Sequence, residues 1–203
     1  MGLFDGIKQA LGLKAEADAT RDADPDDLWG MSTAYVTMEA DLDYRPTGQA
    51  ALCFAAVDST DFTGALQNVE AILEAGEAET GTNAEFVEDS HGYHWVVLED
   101  ESFEDLVTSV HFAADELEEQ GYSSRLLAAL FSFQRPDEDR PVYWVYSFRR
   151  GAYYPFAPVP GERERDSGAE FKLQSVLDGE LEVEDDKEYW YPLWPEDDGH
   201  PWE

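Results

Sequence analysis

VYWVYSFRRGAYYPFAP, residues 142–158, sets the architecture. Alternation over 142–148 places Val142, Trp144, Tyr146 and Phe148 on one side of a strand and Tyr143, Val145 and Ser147 on the other. Large apolar side chains on both sides mean that both faces of this strand are covered. Arg150-Gly151 is a turn signal, after which the chain runs back as AYYPFAP. Upstream, Leu126 to Gln134 reads as a further strand, separated from 142–148 by the polar loop RPDEDRP. Connections this short join antiparallel neighbours, because a parallel pair needs a crossover of about a dozen residues or more.

The same punctuation extends towards the N-terminus. A Pro46-Thr47-Gly48 turn leads into a strand from Gln49 to Val57, and strands near 83–88 and 92–99 are joined through Ser90-His91-Gly92. Ala34 to Leu42 fits a strand or a helix. Ser59 or Thr60 caps a helix with Phe62, Leu66, Val69 and Leu73 on one face, which Gly76 is expected to stop. Ser102 with Asp105 approximates a capping box for a helix carrying Leu106, Val107, Val110, Ala114 and Leu117 and ending at Gly121. A last helix runs from about Asp166 to Asp178 with Ala169, Leu173, Val176 and Leu177 inward. These readings predict an α+β fold: a single domain with a largely antiparallel sheet and about three packed helices, preceded by a separate N-terminal amphipathic helix. The helices cover one sheet face. The other is left for the aromatic C-terminal segments or for a second subunit, as in a homodimer.

The flanks divide by composition. In residues 1–14, Leu3, Phe4, Ile7 and Leu11 form one stripe at helical spacing, with Asp5, Lys8 and Gln9 opposite. Two of the chain's four lysines fall in this stretch, so it is the part most tolerant of an anionic membrane surface, and it is expected to anchor the protein to lipid or to a partner. Residues 15–27 are acidic, with small alanines and one proline, and read as a flexible tether. The globular domain is expected over 28–195 and an acidic tail over 196–203.

Charge removes several function classes. The 203 residues carry 46 Asp and Glu against 13 Lys and Arg, a formal charge of −33. Such a surface repels phosphate backbones, so no nucleic-acid partner is expected. The longest apolar runs are about six residues (Leu126 to Phe131), against the ~18 or more of a membrane-spanning helix. A lone Cys53 cannot form an internal disulfide, and no secretory leader follows Met1, so a cytoplasmic protein is expected. With 43% hydrophobic and 13% aromatic residues, a real core is expected despite the charge, and the surface reads as adapted to a high-salt cytoplasm.

Few side chains suggest chemistry. His91 and His94 flank Tyr93 near Asp89, but residues three apart on a strand point to opposite faces, so no metal site is expected. His111 lies beside the apolar stripe of its helix and His200 falls in the tail. No phosphate-binding loop, nucleophile elbow or zinc-protease motif is present, and neither a catalytic residue nor a cofactor is expected. One stretch stands out. Residues 144–172 hold Arg149, Arg150, Arg163, Arg165 and Lys172, five of the 13 basic residues, beside Tyr153, Tyr154 and Phe156. Either the arginines pair with neighbouring acids such as Glu162 and Glu164 while the rings fill the core, or the island is a recognition surface of arginine and aromatic anchors. The second reading makes Arg149, Arg150, Tyr153, Tyr154, Phe156, Arg163 and Arg165 the expected partner-binding residues.

MGLFDGI at the start, PTG at 46–48 before a strand reaching Cys53-Phe54, DSHGYHWVVL at 89–98, FRRGAYYPFAP at 148–158 followed by GERERDSGAEFKLQ, and EYWYPLWP at 188–195 together resemble the PspA-associated protein B family. FRRGAYYPFAP is the most specific of these. The resemblance implies a companion of PspA, the membrane-remodelling protein of the phage-shock envelope-stress response. In halophilic archaea it implies association with an HtpX-type membrane zinc protease. It supplies no catalytic residue and no cofactor. The expected function is therefore a non-enzymatic accessory or regulatory adaptor whose protein partner is PspA-like or an HtpX-type protease, with peripheral membrane contact through the N-terminal helix. The alternative is an enzyme acting on an anionic small molecule held by Arg149, Arg150, Arg163 and Arg165.

Overall fold

The computed structural model describes residues 21–195 and 200–202. Six strands, β1 (Arg45–Ala55), β2 (Asn83–Glu88), β3 (Tyr93–Glu99), β4 (Leu126–Gln134), β5 (Val142–Ser147) and β6 (Ala152–Phe156), form one sheet in the order β2-β3-β1-β4-β5-β6. Every neighbouring pair is antiparallel. Among the described residues there are four helices: α1 (Met31–Leu42), α2 (Thr60–Thr80), α3 (Phe103–Glu119) and α4 (Ser167–Leu177). The fold is α+β, as the hairpin lengths required.

The additional helix is α1, the segment whose pattern fitted strand or helix. Met31, Ala34 and Met38 recur at helical spacing and are fully buried, and Asp43 in the left-handed region ends the helix. The Ser59 side chain caps α2 and the Ser102 side chain caps α3, as expected. Two boundaries differ. α2 runs through Gly76 to Thr80 and ends at Gly81, because one glycine costs a helix only about 1 kcal/mol and the flanking Glu and Ala residues favour continuation. The Pro46-Thr47-Gly48 turn is instead a bulge inside β1: Pro46 pairs with Phe133, the register then shifts, and pairing resumes at Ala50 with Phe131. Gly48 has φ 83°, and a Cβ there would lie 2.9 Å from the carbonyl oxygen of Asp100, so the close approach of the loop to the bulge requires glycine.

Both sheet faces are filled. Phe54, Leu98, Phe131, Phe133, Trp144 and Tyr146 meet Met38, Val69, Leu106, Val110 and Leu173 on the helical face. On the other, Cys53, Trp95, Leu130, Tyr143, Val145, Tyr154 and Phe156 meet Trp190 and Trp194, with Tyr191, Leu193 and Trp202 packed around them. The aromatic C-terminal segment therefore covers this face. His200 and Trp202 belong to the packing: both rings lie against Tyr143, with centroids 5.3 and 5.7 Å away, so residues 200–202 are not a solvated tail.

The tether reading of residues 15–27 needs correction for the part described. Asp24 caps a 3₁₀ helix, Pro25–Gly30, whose Pro25 and Leu28 are buried. Arg21 donates to both oxygens of Asp27 at 2.7 Å, the Tyr146 hydroxyl donates to Asp27 at 2.6 Å, and Asp26 lies 2.9 Å from His111 Nε2. A run of aspartates here is not a solvated spacer, because the domain presents hydroxyl, guanidinium and imidazole partners to it. The expected anchor residues Leu3, Phe4, Ile7 and Leu11 lie outside the described residues, as do 15–20, 196–199 and 203.

Candidate functional site

The arginine and aromatic island lies on the β5–β6 hairpin and the chain that follows it. Gly151 in the hairpin turn has φ 61°, and a Cβ there would lie 2.9 Å from the Asp22 carbonyl oxygen, so the turn and the N-terminal segment pack backbone to backbone. Alternation then sends Tyr153 to the helical core and Tyr154 and Phe156 to the aromatic one, all three at most 1% exposed. Burial raises the Tyr154 phenol above its ordinary range, against the opposing charge of Arg165, and pushes Tyr143 up to about 12, so neither ionises at neutral pH.

The arginines go inward rather than outward. Arg150 is 5% exposed, its Nε donates to Glu184 Oε2 at 2.6 Å, and its guanidinium lies 3.8 Å from the centre of the Tyr189 ring. The Glu184 hydrogen bond is the main reason that the Arg150 pKa lies above the ordinary arginine value. Glu184 also accepts from the Asp186 backbone, and its own backbone pairs with Tyr153, so this carboxylate fixes the C-terminal segment along the outer edge of β6. Arg165 donates to Glu170 at 2.7 Å, to the Trp190 carbonyl at 2.6 Å and to the Pro155 carbonyl at 3.0 Å. Glu170 is buried and accepts a second hydrogen bond from the Ala157 N–H. Two guanidiniums thus tie the aromatic C-terminal segment and α4 to the sheet.

This corrects the recognition-surface reading for Arg150, Tyr153, Tyr154 and Phe156, which are interior, and for Arg165, which is committed to three internal acceptors. The carboxylates that satisfy Arg150 and Arg165 are Glu184 and Glu170, not the adjacent Glu162 and Glu164. Arg149 is half-buried, donating to the Ser124 carbonyl at 2.8 Å, and Arg163 is exposed. Arg150 and Arg165 are each held by a separate carboxylate rather than gathered round one shared anion.

The remaining candidates are structural as well. Asp89 accepts from the backbone N–H groups of His91 and Tyr93 and from the Trp95 indole, so it builds the β2–β3 turn. His94 stacks on Phe54. Among the described residues no group of three or more His, Cys, Asp and Glu side chains is placed to hold a metal ion. Burial raises the Cys53 thiol well above its ordinary pKa, which removes thiolate chemistry. His111 pairs with Asp26 and packs against Trp29 at 4.4 Å, a contact across 85 residues that no local pattern announces.

One open concavity involves the aromatic face. A groove of about 580 Å³ is lined by Glu85, Val87, Trp95, Val97, His200 and Trp202, among others. Burial pushes the His200 pKa down from 6.5 to about 4, so its ring is neutral at neutral pH. An unfolded histidine binds its proton near pH 6.5 and the native one only near pH 4, so stability present above pH 6.5 is lost as pH falls between the two. The gap is worth about 3 kcal/mol. Acidification from pH 7 to 4 is therefore expected to release residues 200–202, read by hydrogen exchange at Trp202 ahead of global unfolding, and His200→Phe should flatten that response. Unchanged protection of Trp202 down to pH 4 would refute it.

These features define an α+β domain: an antiparallel sheet packed on both faces, with Arg150 and Arg165 fastening its C-terminal segment and α4. Comparison with protein families then gives a match to PspA associated protein B over residues 1–202, so the chain belongs to that family. Membership links it to PspA. Neither the curated proteins nor the solved structures yield a match to this chain. No helix among the described residues is long and apolar enough to cross a membrane.

Proposed function

We propose that the chain is a non-enzymatic adaptor of a membrane-stress response, working at the cytoplasmic membrane face and joining a PspA-like protein or an HtpX-type membrane protease to its regulation. The observation that carries this reading is the family match, which spans residues 1–14 together with the domain. The domain presents folded surface, and the amphipathic stripe Leu3, Phe4, Ile7 and Leu11 supplies the anchor. Burying such side chains contributes roughly 1.5–3 kcal/mol each before ordering costs, enough for reversible recruitment. The enzyme alternative needs Arg149, Arg150, Arg163 and Arg165 to gather round one anion. Arg150 and Arg165 each hold a carboxylate of their own instead, which favours the adaptor.

Deleting residues 1–14 is expected to leave the thermal midpoint of the domain within about 2 °C, less than 1 kcal/mol for a domain this size. The same deletion should abolish co-sedimentation with anionic vesicles and capture of the PspA-like protein in molar salt. Unfolding of the truncated chain would return the stripe to the core, and undiminished capture would end the anchor reading.

A further inference from the structure

The two edges of the sheet are treated differently. Residues 182–184 cover β6, with Tyr153 donating to the Glu182 carbonyl at 2.7 Å and Glu184 donating back to Tyr153 at 2.8 Å. β2, NAEFVE, pairs with β3 on one side and, among the described residues, with no strand on the other. It has no proline, no lysine and an unbroken register from Asn83 to Glu88, and its charged side chains, Glu85 and Glu88, are both acidic. Phe86 and Val87 are 39% and 36% exposed on opposite sides of it.

Behind this edge lies the 580 Å³ groove. Val87, Trp95 and Val97 form its apolar floor, and Glu85 and Glu99 lie on the same face. Asp89 also lines it but is already engaged by the Trp95 indole. His200 also lines the groove, and it is buried, with 7% exposure.

We propose that β2 and its groove form a docking site for an extended cationic segment of a partner protein, added as a seventh strand. The segment's backbone pairs with the outward N–H and C=O groups of β2. Its alternate apolar side chains rest on Val87 and Trp95, and its intervening Lys or Arg side chains fall on the Phe86 side of the sheet, beside Glu88. A second copy of this chain is disfavoured as occupant, because two edges bearing Glu85 and Glu88 on molecules of charge −33 repel one another. The inference deepens the adaptor reading and rests on it for the partner being a protein. The two are separable, since recruitment through residues 1–14 stands or falls in the capture assay whatever β2 does.

The test uses the full chain and a fluorescent peptide of seven residues alternating Lys and Val. Saturable binding is expected, with new hydrogen-exchange protection at 83–88. Val87→Lys, at an exposed position, should weaken binding at least tenfold with the thermal midpoint unchanged. The same peptide N-methylated on alternate residues, and a Glu-Val counterpart, should fail to compete. Equal competition by the N-methylated peptide would reduce the effect to general attraction by an acidic surface and overturn the proposal. So would wild-type affinity in Val87→Lys, or protection mapped away from β2. Concentration-dependent dimerisation that protects β2 would assign the edge to a second copy. A rise in peptide affinity on Ile7→Glu with Leu11→Glu would assign it to the chain's own N-terminal segment. Either result overturns the proposal as well.

Discussion

Replacing Arg150 with alanine is expected to destabilise the domain by about 3–5 kcal/mol, the cost of leaving one member of a buried ion pair without the other. At roughly 2–4 °C per kcal/mol for a domain of this size, the thermal midpoint should fall by about 6–20 °C. Removing the guanidinium strands the Glu184 carboxylate, which is 7% exposed, and withdraws the cation from the Tyr189 ring. Glu184 also accepts from Asp186 and anchors the segment that covers β6, so the loss should spread to the aromatic face and expose Trp190 and Trp194. Exchanging both partners, Arg150→Met with Glu184→Gln, should recover much of the stability because no isolated charge remains buried. Arg149→Ala is the control, expected within about 1 kcal/mol since its side chain is half-exposed. Denaturant unfolding of the three variants beside the wild type decides the matter. A wild-type midpoint for Arg150→Ala would mean that this pair fastens nothing.

Raising KCl from ~0.1 M to several molar should lift the thermal midpoint by about 10 °C or more, roughly 3–5 kcal/mol. The formal charge is −33, and Arg21, Arg135, Arg150 and Arg165 are each committed to one carboxylate, Asp27, Glu138, Glu184 and Glu170. Some of the remaining acids stand close together. Glu70 and Glu74 stand one turn apart on the exposed side of α2, a like-charge spacing that destabilises a helix. Burial first, then the charges of Asp24, Asp115 and Asp26, hold the Glu118 carboxyl above its ordinary pKa. A Debye length of about 10 Å at 0.1 M leaves such repulsions active, whereas ~3 Å near 1 M removes all but contact pairs. Calorimetry in the two salts reads the difference directly, and equal midpoints would sink the proposal that the protein is adapted to a high-salt cytoplasm.

The strands β4 and β5, the caps at Ser59 and Ser102 and the antiparallel order were all legible in the chain, because each is written within a few residues. Alternation states which side chains share a face, a serine before an apolar run states where a helix starts, and a short polar loop forces antiparallel return. The charge and the amphipathic N-terminal stripe are legible for the same reason. The destination of the arginines was not. Arginine beside tyrosine and tryptophan is the composition of an interface hot spot and equally that of an internal clasp, and only a carboxylate 34 residues downstream of Arg150 separates the two. Alternation likewise announced that the Tyr143 face is covered without naming Trp190 and Trp194 as its cover. The aspartates at 24, 26 and 27 read as spacer until Tyr146 and His111 arrived from more than 80 residues away. Local pattern fixes what a segment must hide. What hides it, and which charge meets which, depends on long-range packing, because apolar burial is non-directional and an ion pair needs only proximity in space.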